Sequence, residues 1–307
     1  MADKYRLITR SDFDGLVCAV LLKKLNMIDD IKFVHPKDMQ DGLIEVTDRD
    51  ITTNLPYAEG VYLAFDHHLS ETIRNKGQRE NHIIEAEAPS AARVVYNYYG
   101  GKDTFPNEWD DMLMAVDKAD SAQFVKEDVL SPKGWELLSF LMDARTGLGR
   151  FRNFRISNYN LMMELIDYCK DHKIEQILEL PDVKERVELY FKYEEDFKKQ
   201  LQKLAQVHDN VLVIPLKDEE TIYPGNRFMK YALYPETNIS IQVIWGLKKQ
   251  NTVFTVGKSI FNKTSDVNIG ELMLEYGGGG HRNAGTCQVD NDRADEVLKE
   301  IIEKLKD

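Results

Sequence analysis

Two short motifs in this chain carry side chains that could hold a divalent metal ion for hydrolysis. The first is Asp12-Phe13-Asp14-Gly15 and the second is Asp66-His67-His68. Carboxylate oxygens and imidazole nitrogens, without a thiolate, suit Mn²⁺, Mg²⁺, Co²⁺ or Zn²⁺. Such an ion lowers the pKa of a bound water and supplies hydroxide near neutral pH. If the motifs meet in space, they predict a metal-dependent phosphoesterase.

Each motif also has a simpler structural interpretation, which its residues alone leave open. An aspartate before a helix is a favoured N-cap, so Asp12 and Asp14 fit a capped turn as well as a metal site. Two adjacent histidines fit an exposed pair, although Asp66 is placed to orient an imidazole by a hydrogen bond. The presence of both motifs in one chain favours the metal interpretation.

A glycine run near residue 280 is the third chemical signal. Four consecutive glycines precede a histidine and an arginine. Open backbone N–H groups beside an imidazole and a guanidinium are typical of phosphate binding, whereas a flexible loop is the alternative. The residues predicted to bind substrate phosphate are Gly278, Gly279, Gly280, His281 and Arg282.

Positive charge is also concentrated in one short segment of the chain. Arg145, Arg150, Arg152 and Arg155 lie close together in the sequence, although the net charge is −12. This cluster, and Arg145 in particular, could steer a phosphate into the site, and a solvated basic turn is the alternative. The acidic balance argues against a binding surface for long nucleic acid. It leaves room for a small phosphorylated substrate or a short oligonucleotide.

The length and composition predict a folded protein with room for two domains. The chain has 307 residues, of which 43% are hydrophobic, enough for two cores. Its single, well-separated cysteines predict buried thiols and no disulfide. With neither a signal-peptide pattern nor a long apolar run, the sequence predicts a cytoplasmic protein without a membrane segment.

The elements that must position the motifs follow an α/β order. Short apolar strands at 5–9, 31–35, 51–53 and 61–65 alternate with helical segments, which predicts a largely parallel sheet with ligands at the carboxyl ends of its strands. Residues 1–130 are predicted to form the catalytic core, and residues 131–205 a helical connector. Residues 206–307 are predicted to form a smaller α/β domain.

The order and spacing of these motifs resemble the DHH phosphoesterase superfamily over essentially the whole chain. That superfamily includes RecJ-type exonucleases, nanoRNA and phosphoadenosine-phosphate phosphatases, exopolyphosphatase-like proteins and family II inorganic pyrophosphatases. The namesake triplet is Asp66-His67-His68, and the glycine run resembles the family's C-terminal substrate-binding domain. The resemblance implies hydrolysis of a short oligonucleotide, a bisphosphorylated nucleotide or a short polyphosphate, by a chain that could form a homodimer.

The resemblance also implies roles for individual residues. Asp14, His67 and Asp120 would hold a divalent ion, most readily Mn²⁺, with Mg²⁺ or Co²⁺ as alternatives. Asp12 would hold a second ion or orient the water. His68 would contact the scissile phosphate, and Asp66 would fix the histidines.

Two positions depart from the family pattern. Arg10 stands where the family's first motif has a histidine, and a guanidinium cannot ligate a cation. Arg10 could instead neutralise charge on the phosphoryl oxygens. The family's own second motif, which precedes the DHH triplet, has an aspartate at a strand end. In this chain that position is matched best by Asn54, then by Asp50 and then by Asp48. The chain would therefore bind one or two ions, and a binding or sensor protein with a weak metal site is the alternative function.

Overall fold

The computed structural model describes residues 4–68 and 79–306. The chain divides into two compact units. The N-terminal unit comprises the residues up to 124 together with 132–144 and 148–188, and the C-terminal unit comprises 125–131, 145–147 and the residues from 189 onward. The long helix Pro181–Leu204 is shared between the two units.

The N-terminal unit contains a five-stranded parallel sheet in the order β2-β1-β3-β4-β5. Its strands are β1 Tyr5–Arg10, β2 Ile28–Val34, β3 Asp50–Thr53, β4 Leu63–Asp66 and β5 His82–Ile84. Because β1, β3 and β4 are parallel neighbours, their carboxyl ends meet at one edge of the sheet. The prediction of a parallel sheet is confirmed, and the three-residue strand β5 is an addition that the sequence analysis did not identify.

Helices of this unit connect and flank the strands. They are α1 Phe13–Lys24, α2 Pro36–Gln40, α3 Ala91–Tyr98, α4 Asp110–Asp120, α6 Gly134–Met142, α7 Asn158–Asp171 and α8 Ile174–Leu178. Helix α5, Lys126–Leu130, belongs to the other unit, and α9 is the shared helix Pro181–Leu204. Helix α1 is buried from Phe13 to Leu22. It packs against α3, α4 and α7, which explains why it is apolar on all sides.

The C-terminal unit contains a six-stranded mixed sheet in the order β10-β11-β9-β8-β7-β6. Its elements are β6 Gln206–His208, β7 Val211–Pro215, α10 Met229–Leu233, β8 Ile239–Trp245, β9 Thr252–Lys258, α11 Ile269–Leu274, β10 Gly279–His281, β11 Ala284–Val289 and α12 Ala294–Leu305. Only β7 and β8 pair in parallel among these described strands. One apolar cluster joins the sheet to α11 and α12.

Short 3-10 turns complete the described chain, at Gly101–Asp103, Asn107–Trp109, Ala144–Thr146, Leu148–Arg150 and Leu247–Lys249. Cys18, Cys169 and Cys287 are buried free thiols, as the sequence predicts. None of the helices described here is both long and apolar enough to cross a membrane.

Candidate metal centre

Asp14, His67 and Asp120 converge in the N-terminal unit. One potential ligand atom from each residue lies within 4.8 Å of the other two. Asp14 is in the first turn of α1, His67 follows β4, and Asp120 is the last residue of α4. Two carboxylates and an imidazole at this spacing form a donor set for a divalent ion.

Asp14 is held by the start of another helix. Its side chain is 2% exposed and accepts hydrogen bonds from the backbone N–H groups of Ala91 (3.0 Å) and Ala92 (2.8 Å). The hydroxyl of Ser90 caps the same helix by accepting from the N–H of Arg93. The positive end of α3 therefore stabilises the Asp14 carboxylate and fixes its direction.

His67 is oriented by a backbone carbonyl. Its Nδ1 lies 3.1 Å from the carbonyl oxygen of Ala88, which leaves Nε2 directed toward the cluster. Nε2 lies 2.9 Å from Oδ2 of Asp120, yet this buried atom has no hydrogen bond of regular geometry within the described chain. A ring nitrogen and a carboxylate oxygen that approach each other without a regular hydrogen bond are arranged as two ligands of one metal ion would be.

The pKa values of these residues reflect their burial and mutual charge. Burial raises the pKa of Asp14 to about 8, and the charge of Asp120 adds to the shift. Burial would lower the pKa of His67, but its contact with Asp120 and the charge of Asp14 outweigh burial and raise it to about 9. Burial would raise the pKa of Asp120, but its hydrogen bond with His67 and the charge of that ring outweigh burial and lower it. Protons and a dication therefore compete for the same ligand atoms.

Asp66 fixes the two histidines of the second motif. This carboxylate is 1% exposed, and its Oδ1 accepts from Nδ1 of His68 at 2.7 Å and from the backbone N–H of His67 at 2.8 Å. Burial would lower the pKa of His68, but the bond to Asp66 outweighs burial and raises it. Nε2 of His68 remains the ring atom that faces away from Asp66.

Arg10, Asp12 and Asn54 form a second polar group at the same sheet edge. Asp12 caps α1 by accepting from the N–H of Gly15 at 3.0 Å. Its carboxylate also contacts Nε of Arg10 at 2.9 Å and Nδ2 of Asn54 at 3.3 Å. Asn54 adopts a positive φ of 55° just after β3, and its buried Oδ1 has no partner within the described chain.

Gly15 permits the tight first motif. A Cβ at this position would overlap the carbonyl oxygen of Arg10 and approach the hydroxyl of Thr9 to 2.8 Å. The glycine therefore allows the end of β1 and the start of α1 to approach closely.

The geometry corrects the interpretation of Asp50 as a metal ligand. Asp50 begins β3, at the opposite end of that strand from Asn54. Its carboxylate pairs with Arg6 at 2.7 Å and accepts from the backbone N–H of Thr47 at 2.7 Å. Asp48 lies in the exposed segment before the strand. Asp117, the other acid of α4, accepts from Ser90 and Arg93 and so supports the helix that holds Asp14.

The glycine run is part of a hairpin and not the flexible loop that the sequence left open as the alternative. Residues Gly279–His281 form β10 and pair in antiparallel fashion with β11. A Cβ at Gly278 or Gly280 would overlap backbone atoms of β11, and Gly277 has a φ of 73°. Close backbone packing and the positive φ thus account for three of the four glycines, whereas a Cβ at Gly279 would meet no atom within 4 Å.

Cationic side chains lie beside this hairpin. His281 and Arg282 are exposed. Lys258, at the end of β9, lies close enough to Arg282 for its pKa to be lowered by burial and by that charge. Arg145 is exposed in the turn Ala144–Thr146, which belongs largely to the same unit.

Ala88, Ser90 and Lys258 were not among the site residues predicted from the sequence. A serine before an apolar helical segment is an N-cap signal that could have identified Ser90. Ala88 acts through its backbone, so its residue type gives no signal.

No family model matches the chain. A pGpG-specific phosphodiesterase of Vibrio cholerae, PggH, is 62% identical, with a TM-score of 0.89 over 98% of this chain and 99% of that one. The Mn²⁺ complex of RecJ from Thermus thermophilus is 16% identical, with a TM-score of 0.55 over 98% of this chain and 52% of that one, and it shows a shared fold.

A curated relative matches only a short segment. An A-adding tRNA nucleotidyltransferase of Aquifex aeolicus is 36% identical over 75 residues. The match spans 22% of this chain and only 9% of the length of that relative, so it carries no argument about the whole protein. The identity to the Vibrio cholerae enzyme, by contrast, extends over nearly the whole of both chains. The chain therefore belongs to the DHH family of phosphoesterases and is a metal-dependent hydrolase of phosphoester bonds in short phosphorylated substrates.

Proposed function

We propose that this chain hydrolyses the phosphodiester bond of the linear dinucleotide pGpG. The observation that carries this proposal is the convergence of Asp14, His67 and Asp120 within 4.8 Å, in a chain 62% identical to a pGpG-specific phosphodiesterase. The net charge of −12 also favours a short substrate over a long strand.

We propose Asp14, His67 and Asp120 as the ligands of one divalent ion, most readily Mn²⁺. A mixed set of one imidazole and two carboxylates suits Mn²⁺ or Co²⁺ better than Mg²⁺, which prefers oxygen ligands. When bound, such an ion would supply a hydroxide nucleophile near neutral pH and neutralise phosphoryl charge. The buried Nε2 of His67, which lacks a regular hydrogen bond among the described residues, fits this role.

The remaining residues of the sheet edge would bind and orient the scissile phosphate. His68, fixed through Nδ1 by Asp66, would donate from Nε2 to a phosphoryl oxygen. Arg10, which is 39% exposed and paired with Asp12, would contribute a second charged donor. Because the guanidinium repels a cation and already contacts Asp12, we propose that Asp12 and Asn54 hold Arg10 in place of a second ion.

In the C-terminal unit, we propose that His281, Arg282 and Gly279 bind a phosphate or nucleotide group of the substrate, with Lys258 nearby. Exposed cations beside a hairpin with an accessible glycine support this role. Arg145 is proposed to attract the anionic substrate by its charge.

A turnover assay tests the proposed activity. Purified protein would be incubated with Mn²⁺ and pGpG, pApA, adenosine bisphosphate or a short polyphosphate, and the products separated by chromatography. We expect GMP from pGpG, and much slower cleavage of the other compounds. An Asp14→Ala, His67→Ala double variant serves as the control. Turnover of pGpG no greater than that of the double variant would overturn the proposal.

Metal counting tests the proposed role of Arg10. After dialysis against Mn²⁺, elemental analysis should find one ion per chain in the wild type and more than one in Arg10→His. Arg49→His, which changes an exposed arginine at the opposite end of the sheet, should leave the count at one. Two ions in the wild type would contradict the role of Arg10 as a substitute for metal.

A further inference from the structure

The C-terminal unit contains a cavity between the residues that follow α11, the end of β11 and one side of α12. Its volume of about 430 Å³ lies within the range of roughly 300–1,000 Å³ that is usual for small-molecule sites. Val289 lines the cavity at the end of β11, whereas Ala284 at the start of that strand pairs with His281. The two ends of the strand are about 17 Å apart, so the cavity is separate from the cations of the glycine hairpin.

Helix α12 and the residue before it form one wall of the cavity. The wall residues follow one another at the spacing of a single helix face, and they are Arg293, Val297, Glu300 and Lys304. Arg293 and Glu300 are separated by about 10 Å along the helix axis, at about 1.5 Å per residue, and Val297 lies between them. This wall therefore has a cation at one end, an apolar residue in the middle and an acid two turns further on.

Some of the charges that line the cavity compensate one another. The ammonium group of Lys304 donates to Glu275 at 2.5 Å and lies 5.1 Å from the centre of the Tyr276 ring. The hydroxyl of Tyr276 donates to Oε2 of Glu300 at 3.2 Å. Glu275 and Lys304 are thus paired, and Glu300 is held beside an aromatic ring with its second carboxylate oxygen still able to accept.

The other charges of the lining have no counter-ion. Among the described residues, Arg293, Asp290 and Glu300 form no ion pair. Arg293 and Asp290 belong to one turn, in which the backbone N–H of Arg293 donates to the carbonyl oxygen of Asp290 at 3.1 Å. One end of the cavity thus offers a cation and an acid together, and a second acid lies about 10 Å further along the helix. This pattern complements a ligand with one negative and two positive charges.

The end of the cavity at Arg293 is firmly positioned. Oε1 of Gln288, which also lines the cavity, accepts from Nδ2 of Asn251 at 2.9 Å. The side chain of Asn291 donates to the carbonyl oxygen of Lys249 at 3.0 Å. These bonds tie the segment before α12 to the turn between β8 and β9. The amide of Gln288 is oriented by its bond, and its Nε2 has no acceptor within the described chain.

We propose that this cavity binds the free amino acid arginine. The α-carboxylate would pair with Arg293, the α-ammonium group with Asp290, and the side-chain guanidinium with Glu300. An extended arginine places its guanidinium carbon about 7–8 Å from its carboxylate carbon, so the side chains of Arg293 and Glu300 need to span only the remaining distance. The methylene stem of the ligand would lie against Val289 and Val297. The inference is independent of the substrate proposed above.

The charges of the lining favour this ligand over other small metabolites. The cavity is lined by three acids and two bases, so a nucleotide, which brings at least one further negative charge, is less well matched than a basic amino acid. A planar guanidinium binds a carboxylate in bidentate fashion, which the ammonium group of lysine cannot do. The aromatic ring of Tyr276 beside Glu300 also suits a guanidinium, which stacks on aromatic faces.

Calorimetric titration of the full chain with arginine and with argininamide tests the carboxylate contact. Argininamide keeps the ammonium and guanidinium groups but carries a neutral amide, like an arginine at the start of a peptide. We expect the wild type to bind arginine at least tenfold more tightly than argininamide. Arg293→Gln should bind the two compounds with affinities within twofold of each other. Lys299→Gln, which removes an exposed cation of α12 outside the cavity lining, should keep the wild-type preference.

A second ligand pair tests the guanidinium contact. Citrulline has nearly the shape of arginine, with a neutral ureido group in place of the guanidinium. The wild type should bind arginine at least tenfold more tightly than citrulline, whereas Glu300→Gln should bind the two within twofold of each other. Each test compares two ligands in one variant, so general damage to the fold changes both affinities and leaves their ratio. Thermal unfolding checks that both variants are folded.

Several results would overturn the inference. They are the absence of arginine binding to the wild type at millimolar concentration, and a wild-type preference that persists in either folded variant. A wild type that binds argininamide as tightly as arginine would indicate recognition of a peptide instead of the free amino acid. The Asp14→Ala, His67→Ala variant should bind arginine with wild-type affinity, and a loss there would place the ligand at the metal centre. Failure of the pGpG assay would leave all of these affinities unaffected.

Discussion

The carboxylate of Asp14 accepts a hydrogen bond of 2.8 Å from the backbone N–H of Ala92, which lies 78 residues later in the chain. The first acidic motif is thereby tied to the helix that follows the second motif. The same carboxylate belongs to the cluster with His67 and Asp120. The position of this ligand consequently depends on the start of α3.

Replacement of Ser90 by alanine should weaken both folding and metal binding. The hydroxyl caps α3 and donates to Asp117 at 2.7 Å. Loss of an N-cap costs about 1 kcal/mol, and fraying of this helix start would loosen the N–H groups that hold Asp14. Chemical unfolding and Mn²⁺ titration measure the two effects. Ser157→Ala removes the cap of α7 and should lower stability alone. Equal metal affinities in both variants would contradict the prediction.

Replacement of Gly15 by alanine should strongly destabilise the N-terminal unit. The new methyl group would overlap the carbonyl oxygen of Arg10, which is a backbone atom with little freedom to move. Overpacking costs about 1–3 kcal/mol, and we expect the upper end of that range in urea unfolding. Gly149→Ala, whose Cβ would meet its nearest atom at 3.6 Å, is the matched control. A Gly15→Ala protein as stable as that control would refute the close-approach argument.

Metal binding should release protons and should strengthen as the pH rises. The pKa of His67 is raised to about 9 and that of Asp14 to about 8, so both groups carry protons near pH 7. Each must lose its proton to become a ligand, and Mn²⁺ affinity should therefore rise from about pH 6 to about pH 9. Calorimetry in buffers of different ionisation enthalpy should show release of at least one proton per ion. An affinity independent of pH across this range would contradict the assignment of the ligands.

Replacement of Asp50 by asparagine should lower stability and leave metal binding intact. Burial would raise the pKa of Asp50, but the hydrogen bonds from Arg6 and Thr47 outweigh burial and hold the pKa below its ordinary value. The stabilisation is thus present above the unfolded-state pKa and is lost as the pH falls through the lower folded-state pKa. We expect a loss of about 1–3 kcal/mol at pH 7 that shrinks below about pH 4. Asp120→Asn is the contrasting variant, which should lose Mn²⁺ affinity. A comparable loss in Asp50→Asn would restore Asp50 as a ligand.

Local sequence patterns were sufficient for much of the fold. The alternation of apolar strands with helical segments predicted the parallel sheet, because side-chain period and strand length are local properties. The motifs after β1 and β4 were expected to meet because the carboxyl ends of parallel neighbours share one edge. The convergence of Asp14 and His67 agrees with that expectation. The inclusion of Asp120 came from the family resemblance and not from spacing.

The tertiary structure decided which neighbours each motif has. Asp50 begins β3 and Asn54 follows its end. The tertiary structure places Asn54 beside Asp12 and leaves Asp50 with Arg6. The pairing of Gly279–His281 with β11 likewise depends on a strand contact that no glycine count could predict. Composition and hydrophobic period determined which helices and strands form and which strand ends carry the acidic and histidine side chains. Backbone contacts between residues far apart in the chain, such as Asp14 with Ala92, determined the site itself, because such contacts depend on packing and not on local spacing.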